Sequence, residues 1–308
     1  MSSVTPSFSS HAAPFAIGLC AGARRAYTTG GRTAAGIMTA LSTPPILMGK
    51  DCAALSVFAP ENLLREARRQ KNLPQEAVPE ICVLDPDGDI VRMLAHRGKS
   101  RRAAAWPCYH TDLYTFAHQG AEFGIVGCAV GAPFAVLVAE QLFASGCRLL
   151  ISMTSAGQIA AQGPTPYFIL IERALRDEGT SYHYLPPAEF AAADPDLVAR
   201  VMPALAGLAP PVYRGASWTT DAPFRETAAA IARCRARGIL AVEMEAAALY
   251  AFALSRRRQV LCFAHVTNQM AVVEGDFEKG EAAGSLDALA VIAAAARAWR
   301  DGSADGKP

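Results

Sequence analysis

Residues 242–250 read Val-Glu-Met-Glu-Ala-Ala-Ala-Leu-Tyr, and they are the most informative stretch of the chain. Two carboxylates flank a methionine, and a run of small apolar residues follows them. This pattern predicts the first turn of a buried helix, with acids at the positive end of its dipole. Glu243 and Glu245 are two positions apart, so they cannot share one helical face. At least one is expected to project from the turn before the helix, where it can accept ligand hydrogen bonds. The alternative is a capped core helix.

The composition indicates a soluble α/β protein. The chain has 308 residues, 52% of them hydrophobic, with a mean hydropathy of +0.18. This length fits one large domain or two modest ones. A formal net charge of +1 gives no electrostatic footprint for nucleic acid. The longest apolar run, 125–139, is broken by Gly131 and Pro133 and is too short to span a membrane. We therefore expect neither nucleic acid nor a membrane among the partners.

The eight cysteines form no Cys-x-x-Cys pair. Scattered cysteines in a chain of this length predict reduced core residues, not a disulfide framework or a zinc site. They are Cys20, Cys52, Cys82, Cys108, Cys128, Cys147, Cys234 and Cys262.

Residues 1–47 differ in composition from the rest of the chain. They are rich in Ser, Thr, Ala and Gly, and no acidic residue precedes Asp51. Three interpretations stay open: an organellar transit peptide, a disordered tail, or a misassigned start with Met48 as the true one. The predicted organisation is an N-terminal extension over 1–47, one domain over 48–302 and a tail over 303–308. A cytoplasmic location is expected, or an organellar one if 1–47 is a transit peptide.

Apolar runs and helical periodicities alternate along the domain without an internal repeat or a linker. The fold class predicted is α/β, a single domain with a mixed, mainly parallel central sheet and helices on both faces. The acidic segment 85–89 resembles a calcium loop, but it lacks the later ligands, so a turn is expected. The predicted strands are 81–84, 122–130, 149–159 and 260–266, and the predicted helices are 61–71, 132–145, 194–205 and 286–299.

Two histidines, His110 and His118, lie eight residues apart without acidic neighbours, which makes a poor metal site. They either line a ligand pocket or lie on the surface. No metal site is predicted elsewhere.

The stretch 242–250 closely resembles the signature of the purine and uridine phosphorylase superfamily, the nucleoside phosphorylases and nucleosidases of family I type. The resemblance extends over about 81–299. It implies that Glu245 binds the ribose hydroxyls and that Met244 packs under the sugar. Glu243 is expected to belong to the same substrate site.

The segment 154–158, Thr-Ser-Ala-Gly-Gln, resembles the phosphate-binding turn of that superfamily. The resemblance implies that the Ser155 hydroxyl and nearby backbone N–H groups, including that of Gly157, hold an anion. The acidic turn 85–89 is similar to a second phosphate-binding loop, with Arg92 as the nearest cation. One departure matters: Ser152 stands where many of these phosphorylases have an arginine, which the nucleosidase branch also lacks.

Two further segments resemble the base site of the superfamily. The segment 218–226, Trp-Thr-Thr-Asp-Ala-Pro-Phe-Arg-Glu, is expected to be a pocket loop containing Asp221, with Trp218 or Phe224 stacking on the base. Alternatively, Asp221 and Arg225 pair across a turn. Asn268 occupies the position of a base-recognising group at the end of a strand. An amide both donates and accepts, which favours an oxo base over adenine.

The resemblance implies a nucleoside phosphorylase that cleaves an N-glycosidic bond with phosphate to give free base and ribose 1-phosphate. Asn268 and Glu245 are the expected catalytic residues. Phosphate is the co-substrate, and no cofactor or metal is needed. A homo-oligomer, either a dimer or a hexamer, is expected. The alternatives are a nucleosidase that uses water, and a nucleoside-binding homologue without turnover.

Overall fold

The structure is a computed structural model that describes residues 43–269, residue 279 and residues 281–304. Residues 1–42 of the predicted extension 1–47 lie outside this range. From Thr43 onward the chain forms one compact unit. Its helices are α1 (Pro60–Lys71), α2 (Asp89–His96), α3 (Ala132–Ala144), α4 (Pro195–Leu205), α5 (Ala228–Ala236), α6 (Ala246–Arg256) and α7 (Ser285–Ala304). Its strands are β1 (Ile81–Asp85), β2 (Ser100–Arg102), β3 (Tyr114–His118), β4 (Ala121–Gly127), β5 (Leu149–Gln158), β6 (Tyr167–Asp177), β7 (Phe190–Ala192), β8 (Val212–Thr220), β9 (Ile239–Glu243) and β10 (Gln259–Asn268).

The strands form one mixed sheet, as expected for the predicted α/β class. Strand β1 lies between β4 and β5 with parallel pairing on both sides. Strand β5 also pairs with β10, and β10 continues through β6, β8 and β9 back to β5. Five strands therefore close a ring, and β4, β3 and β2 extend the sheet away from it.

The register of this ring brings distant segments together. Near the carboxyl end of β5, Gly157 pairs with Val242 of β9 on one side and with Asn268 of β10 on the other. The first residue of the 242–250 stretch and the predicted base-recognising amide thus flank one glycine. These segments are brought together because β5 pairs with both β9 and β10 when the ring closes.

The helices pack in two groups. Helix α3 contacts α1 and α6, while α7 contacts α2 and α4. Both groups bury apolar side chains of the sheet in one core, which includes Phe123, Phe168 and Trp299. Residues Glu281–Gly302 are long and apolar enough to cross a membrane by length and composition, but most of this stretch is buried against the protein.

The helix and strand predictions are confirmed in outline, with local corrections. Helix α7 continues to Ala304, five residues beyond the predicted helix end at residue 299. Trp218 is not in a loop: it belongs to β8 and is 4% exposed. His110 lies exposed in a turn and His118 lies on β3, away from the ring.

Of the seven described cysteines, all are free. Five are buried as predicted: Cys82, Cys108, Cys147, Cys234 and Cys262. Cys128 is exposed, which corrects the expectation of core residues throughout; Cys52 is partly exposed, and Cys20 lies outside the described residues.

Candidate active site

The two glutamates of the 242–250 stretch both precede helix α6, which begins at Ala246. Neither lies in the first turn, contrary to one expectation from the sequence. Glu243 ends strand β9, Met244 makes the turn, and Glu245 is the N-cap residue. The prediction that at least one carboxylate lies before the helix is confirmed for both.

Both carboxylate oxygens of Glu243 accept hydrogen bonds from the protein itself. Its Oε1 accepts hydrogen bonds from the hydroxyls of Ser217 (2.9 Å) and Thr219 (2.5 Å). Its Oε2 accepts from the backbone N–H groups of Glu245 and Ala246, both at 2.7 Å. These four bonds occupy the acceptor positions of a carboxylate. Glu243 therefore holds the start of α6 and the turn carrying Glu245, and the expected direct contact with substrate is corrected to a positioning role.

Glu245 has one engaged oxygen and one open oxygen. It is 1% exposed, and its Oε1 accepts a 2.7 Å hydrogen bond from the backbone N–H of Gly131. Oε2 is buried and has no hydrogen-bond partner among the described residues. Burial, together with the charge of Glu243, raises the pKa of Glu245 to about 8. A buried polar oxygen left unpaired costs roughly 1–3 kcal/mol. The Thr154 hydroxyl, which donates to the Ser155 carbonyl, lies near the Glu245 carboxyl and lowers its pKa.

Two helix N-termini at Glu245 offset part of the cost of burying its carboxylate. Gly131 is the N-cap of α3, so the Glu245 carboxylate lies at the N-termini of both α3 and α6. Partial positive charge collects at helix N-termini. The helix predicted over 132–145 is confirmed as α3, and the backbone N–H of Gly131 before it takes part in the site.

Asn268 ends strand β10 and is 4% exposed. Its Nδ2 donates a 3.2 Å hydrogen bond to the hydroxyl of Thr267. Through Gly157, the backbone of Asn268 is one strand away from the turn that carries Glu245. The structure thus brings both predicted catalytic residues to the same edge of the ring.

The predicted anion turn already binds a carboxylate of the protein. The backbone N–H of Ser155 donates a 3.0 Å hydrogen bond to Oδ2 of Asp87. Lys279 Nζ lies 3.3 Å from this oxygen and 2.6 Å from Oδ2 of Asp89. Arg92 donates to Oδ1 of Asp89 and to the carbonyl of Asp87, each at 2.6 Å.

Beside Ser155 lies a cavity of about 20 Å³. His265 lines it, 5% exposed, with its ring stacked 4.4 Å from that of Phe168 and its Nε2 without a partner. Burial lowers the pKa of His265 to about 4. Burial also raises the pKa of Asp85, another lining residue, to about 7. Ser285 Oγ in the same lining is buried and unpartnered as well.

Within the described residues, no group of three or more His, Cys, Asp or Glu side chains is placed to hold a metal ion.

Comparison with known proteins gives the family. The family model described as "Phosphorylase superfamily" matches residues 80–298. The chain belongs to the phosphorylase superfamily. The resemblance seen in the 242–250 stretch is thereby confirmed.

Related proteins in this superfamily are nucleoside phosphorylases. A purine nucleoside phosphorylase DeoD-type of Colwellia psychrerythraea is 27% identical over 159 residues, which are 51% of this chain and 68% of that protein. A guanosine phosphorylase of Halorubrum lacusprofundi is 26% identical over 164 residues, 53% of this chain and 67% of that protein. The fold is similar to that of uridine phosphorylase from Vibrio fischeri, with a TM-score of 0.62 and 21% identity, covering 74% of this chain and 97% of that one.

Other residues expected in the site of this superfamily member lie apart from Glu245. The Trp218 indole N–H donates to the Asp177 carboxylate. Ser217 and Thr219 bind Glu243 from the other face of β8. Because neighbouring residues of a strand face opposite sides, Trp218 points away from Glu243. Phe224 is 99% exposed. The Asp221 carboxylate accepts a 2.9 Å hydrogen bond from the backbone N–H of Gly179; the suggested pairing with Arg225 does not appear.

Sequence reasoning missed three residues near the site: Asp87, His265 and Lys279. The acid-rich turn 85–89 carried a signal, because three aspartates in five residues beside an expected anion site conflict with that site. His265 carried none, since its role depends on side chains brought from distant strands and helices.

Proposed function

We propose that the protein cleaves the N-glycosidic bond of a nucleoside. The observation that carries this proposal is the buried, unpartnered Oε2 of Glu245, at the meeting point of β9, β10 and the start of α3. The hydroxyl groups of a ribose are donors of the kind this oxygen lacks. The names of the related phosphorylases support the same reaction class.

Each residue has a role that follows from its position. Glu245 binds the sugar hydroxyls and stabilises the positive charge that develops on the ribosyl group as the bond breaks. Glu243 holds the turn through its bonds to the N–H groups of Glu245 and Ala246. Met244 packs against the sugar. Catalysis then rests on positioning and electrostatics, and it requires no cofactor.

Asn268 recognises the base. It lies at the end of β10, opposite Gly157, and its amide offers both a donor and an acceptor. An oxo base, either a 6-oxopurine or a pyrimidine, presents a carbonyl and a ring nitrogen to such a group. Asp221 and Phe224 contribute from the segment after β8, where the Phe224 side chain is 99% exposed.

Phosphate is the acceptor that the related phosphorylases suggest, with Ser155, Gly157 and Arg92 as its proposed contacts. Water is the second candidate, and a specific observation favours it: the Ser155 N–H already binds Asp87.

A homo-oligomer is part of the proposal. Leu55, Phe58 and Leu137 line an 800 Å³ groove beside α1 and α3, and Leu55 and Phe58 are 91% and 71% exposed. Apolar surface of this kind is typical of subunit contacts. Light scattering should give a mass of at least two chains, and the mass of one chain would contradict this proposal.

The test of the proposed reaction is the release of free base. Inosine, guanosine, adenosine and uridine are each incubated with the protein, with and without inorganic phosphate, and the base is measured by chromatography. Base is expected from at least one oxo-base nucleoside. If nucleosides bind but no base forms under either condition, the protein is a binding homologue and the enzymatic proposal is wrong.

A further inference from the structure

The carboxyl end of β5 lies next to the position where β9 and β10 pair with Gly157. The ends of parallel strands in α/β sheets are common ligand positions, and a backbone N–H there suits an anion. In this protein the N–H of Ser155 is taken by Oδ2 of Asp87 at 3.0 Å. The carboxylate of Asp87 therefore occupies the place beside the Ser155 N–H where an external anion would bind.

Carboxylates already occupy the surroundings. Asp87 and Asp89 line the same cavity with Lys279 as a cation between them, and burial raises the pKa of Asp85, a third aspartate there, to about 7. Arg92 is bound to Asp89, and its side chain is 61% exposed. A phosphate dianion bound at this position would lie next to the Asp87 carboxylate, and like charges repel strongly where water is partly excluded. The buried residue Ser152 supplies a hydroxyl and no positive charge.

The cavity has the size and the polar groups to hold one water molecule. A water needs about 10–15 Å³ of accessible space and two to four polar partners. The cavity provides about 20 Å³. His265 Nε2 and Ser285 Oγ have no partner among the described residues, and these residues are 5% and 1% exposed. Both can hydrogen-bond to a water beside Asp87.

We propose that the acceptor in this reaction is water and that Asp87 is the residue that excludes phosphate from the acceptor position. This inference rests on the proposed cleavage of a nucleoside. The water oxygen forms a bond to C1′ of the sugar while the bond from C1′ to the base nitrogen breaks. The base leaves with the electron pair of that bond, and one proton of the water passes to the Asp87 carboxylate. The base anion then takes up a proton from solvent, and Asp87 releases its proton to solvent, which restores the carboxylate. The products are free base and free sugar.

The first experiment identifies the acceptor in the wild-type protein. Base release is measured with and without inorganic phosphate, in water enriched in oxygen-18. The expected result is a rate independent of phosphate and one labelled oxygen in the released sugar. A rate that requires phosphate, with sugar 1-phosphate as product, would overturn the inference while leaving the proposed cleavage intact.

The second experiment tests Asp87. In Asp87→Gly the N–H of Ser155 is free and one negative charge is gone, and Asp87→Asn keeps the size without the charge. Hydrolysis should fall by about 100-fold in both variants, the effect of losing a proton acceptor. In Asp87→Gly a phosphate-dependent release of base should appear. The matched control is Asp112→Asn, which removes an exposed aspartate that pairs with Arg102 outside the site. Unchanged hydrolysis in Asp87→Asn would overturn the role of Asp87.

A binding measurement separates this inference from the proposed function. Titration calorimetry with inorganic phosphate needs no turnover. Wild-type protein should bind no phosphate, and Asp87→Gly should bind it measurably, with thermal melts showing that the variant is folded. If no nucleoside is cleaved, the proposed function fails, yet this titration still decides whether Asp87 blocks the anion position. Tight binding of phosphate by the wild type would show that it does not.

Discussion

The backbone N–H of Gly131 donates a 2.7 Å hydrogen bond to Oε1 of Glu245, which follows it by 114 residues. This bond ties the start of α6 to the start of α3 and fixes the direction of a buried carboxylate. Because one oxygen is held in this way, the other faces a fixed position without a partner. One oxygen of Glu245 thus makes a structural hydrogen bond, and the other faces the proposed ligand. An isosteric substitution can therefore test the ligand contact while the structural bond is kept.

Glu245→Gln should keep the fold and lose most of the turnover. The glutamine oxygen can still accept from Gly131, which places the amide NH2 at the ligand position. An NH2 group donates and cannot accept from a sugar hydroxyl, as a carboxylate oxygen does. The loss is about 2–4 kcal/mol of transition-state stabilisation, or roughly 30- to 1000-fold in kcat/KM. Steady-state kinetics measure it, with Glu122→Gln, an exposed residue of β4, as the control. Full activity in Glu245→Gln would remove the residue from the site.

The same variant should change how stability depends on pH. The pKa of Glu245 rises from 4.5 to about 8 in the folded protein. Its protonated form is therefore favoured by folding, and this contribution is complete below pH 4.5 and is lost as the pH rises through about 8. Glutamine stays neutral at every pH.

The melting temperature of Glu245→Gln should consequently exceed that of the wild type at pH 9, and the difference should shrink toward pH 5. Each kcal/mol corresponds to roughly 2–4 °C in domains somewhat smaller than this one. Other titrating groups, such as Asp85, are present in both proteins and cancel in the comparison. An equal difference at pH 5 and pH 9 would mean that Glu245 is not held in a pKa-raising environment.

Substitution of Glu243, unlike that of Glu245, should lower the stability of the folded protein. Its carboxylate accepts four hydrogen bonds from buried donors, and Glu243→Gln turns one acceptor oxygen into a donor facing some of them. Buried donors left unpaired cost about 1–3 kcal/mol each. We expect a loss of roughly 2–4 kcal/mol in urea unfolding together with lower activity. Retained stability with lost activity would instead place Glu243 in contact with the substrate.

The different roles of these two glutamates could be predicted only in part from the sequence. Their spacing indicates that one carboxylate lies before the helix, because i and i+2 positions do not share a helical face. It does not indicate which of them is satisfied by the protein. That depends on Ser217 and Thr219 of β8 and on Gly131 of α3, whose positions follow from long-range pairing.

Local patterns predicted most strands and helices, since alternation and helical periodicity act over a few residues. The closed ring was not predicted, because the pairing of β10 with both β5 and β6 joins segments about 100 residues apart. Trp218 was assigned to a loop for a related reason. Its neighbours Ser217 and Thr219 are polar but buried against Glu243, so the strand lacks the usual alternation of apolar and polar residues.

Asn268 should set the preference for the base. Wild-type protein is expected to cleave inosine, guanosine or uridine faster than adenosine, because the amide can pair with a carbonyl and a ring nitrogen. Asn268→Asp should shift the ratio of kcat/KM toward adenosine by about tenfold, or 1.4 kcal/mol, since a carboxylic acid can protonate an aminopurine. The four nucleosides are compared under identical conditions. A wild-type preference for adenosine would contradict the role of Asn268.

Gly284 should be required for the position of His265. Its φ is +69°, and a Cβ added there would lie 2.1 Å from Cε1 of His265 and 2.8 Å from the carbonyl of Lys279. The imidazole would have to move, together with the wall of the cavity beside Ser155. The matched control is Gly120→Ala, where φ is +77° and nothing lies within 4 Å of the added carbon. That control carries only the backbone strain of about 1–2 kcal/mol. Gly284→Ala should lose a further 1–3 kcal/mol, about the cost of overpacking, and should also lose turnover. Equal melting temperatures for the two variants would show that the imidazole moves without cost and that its position is not fixed by Gly284.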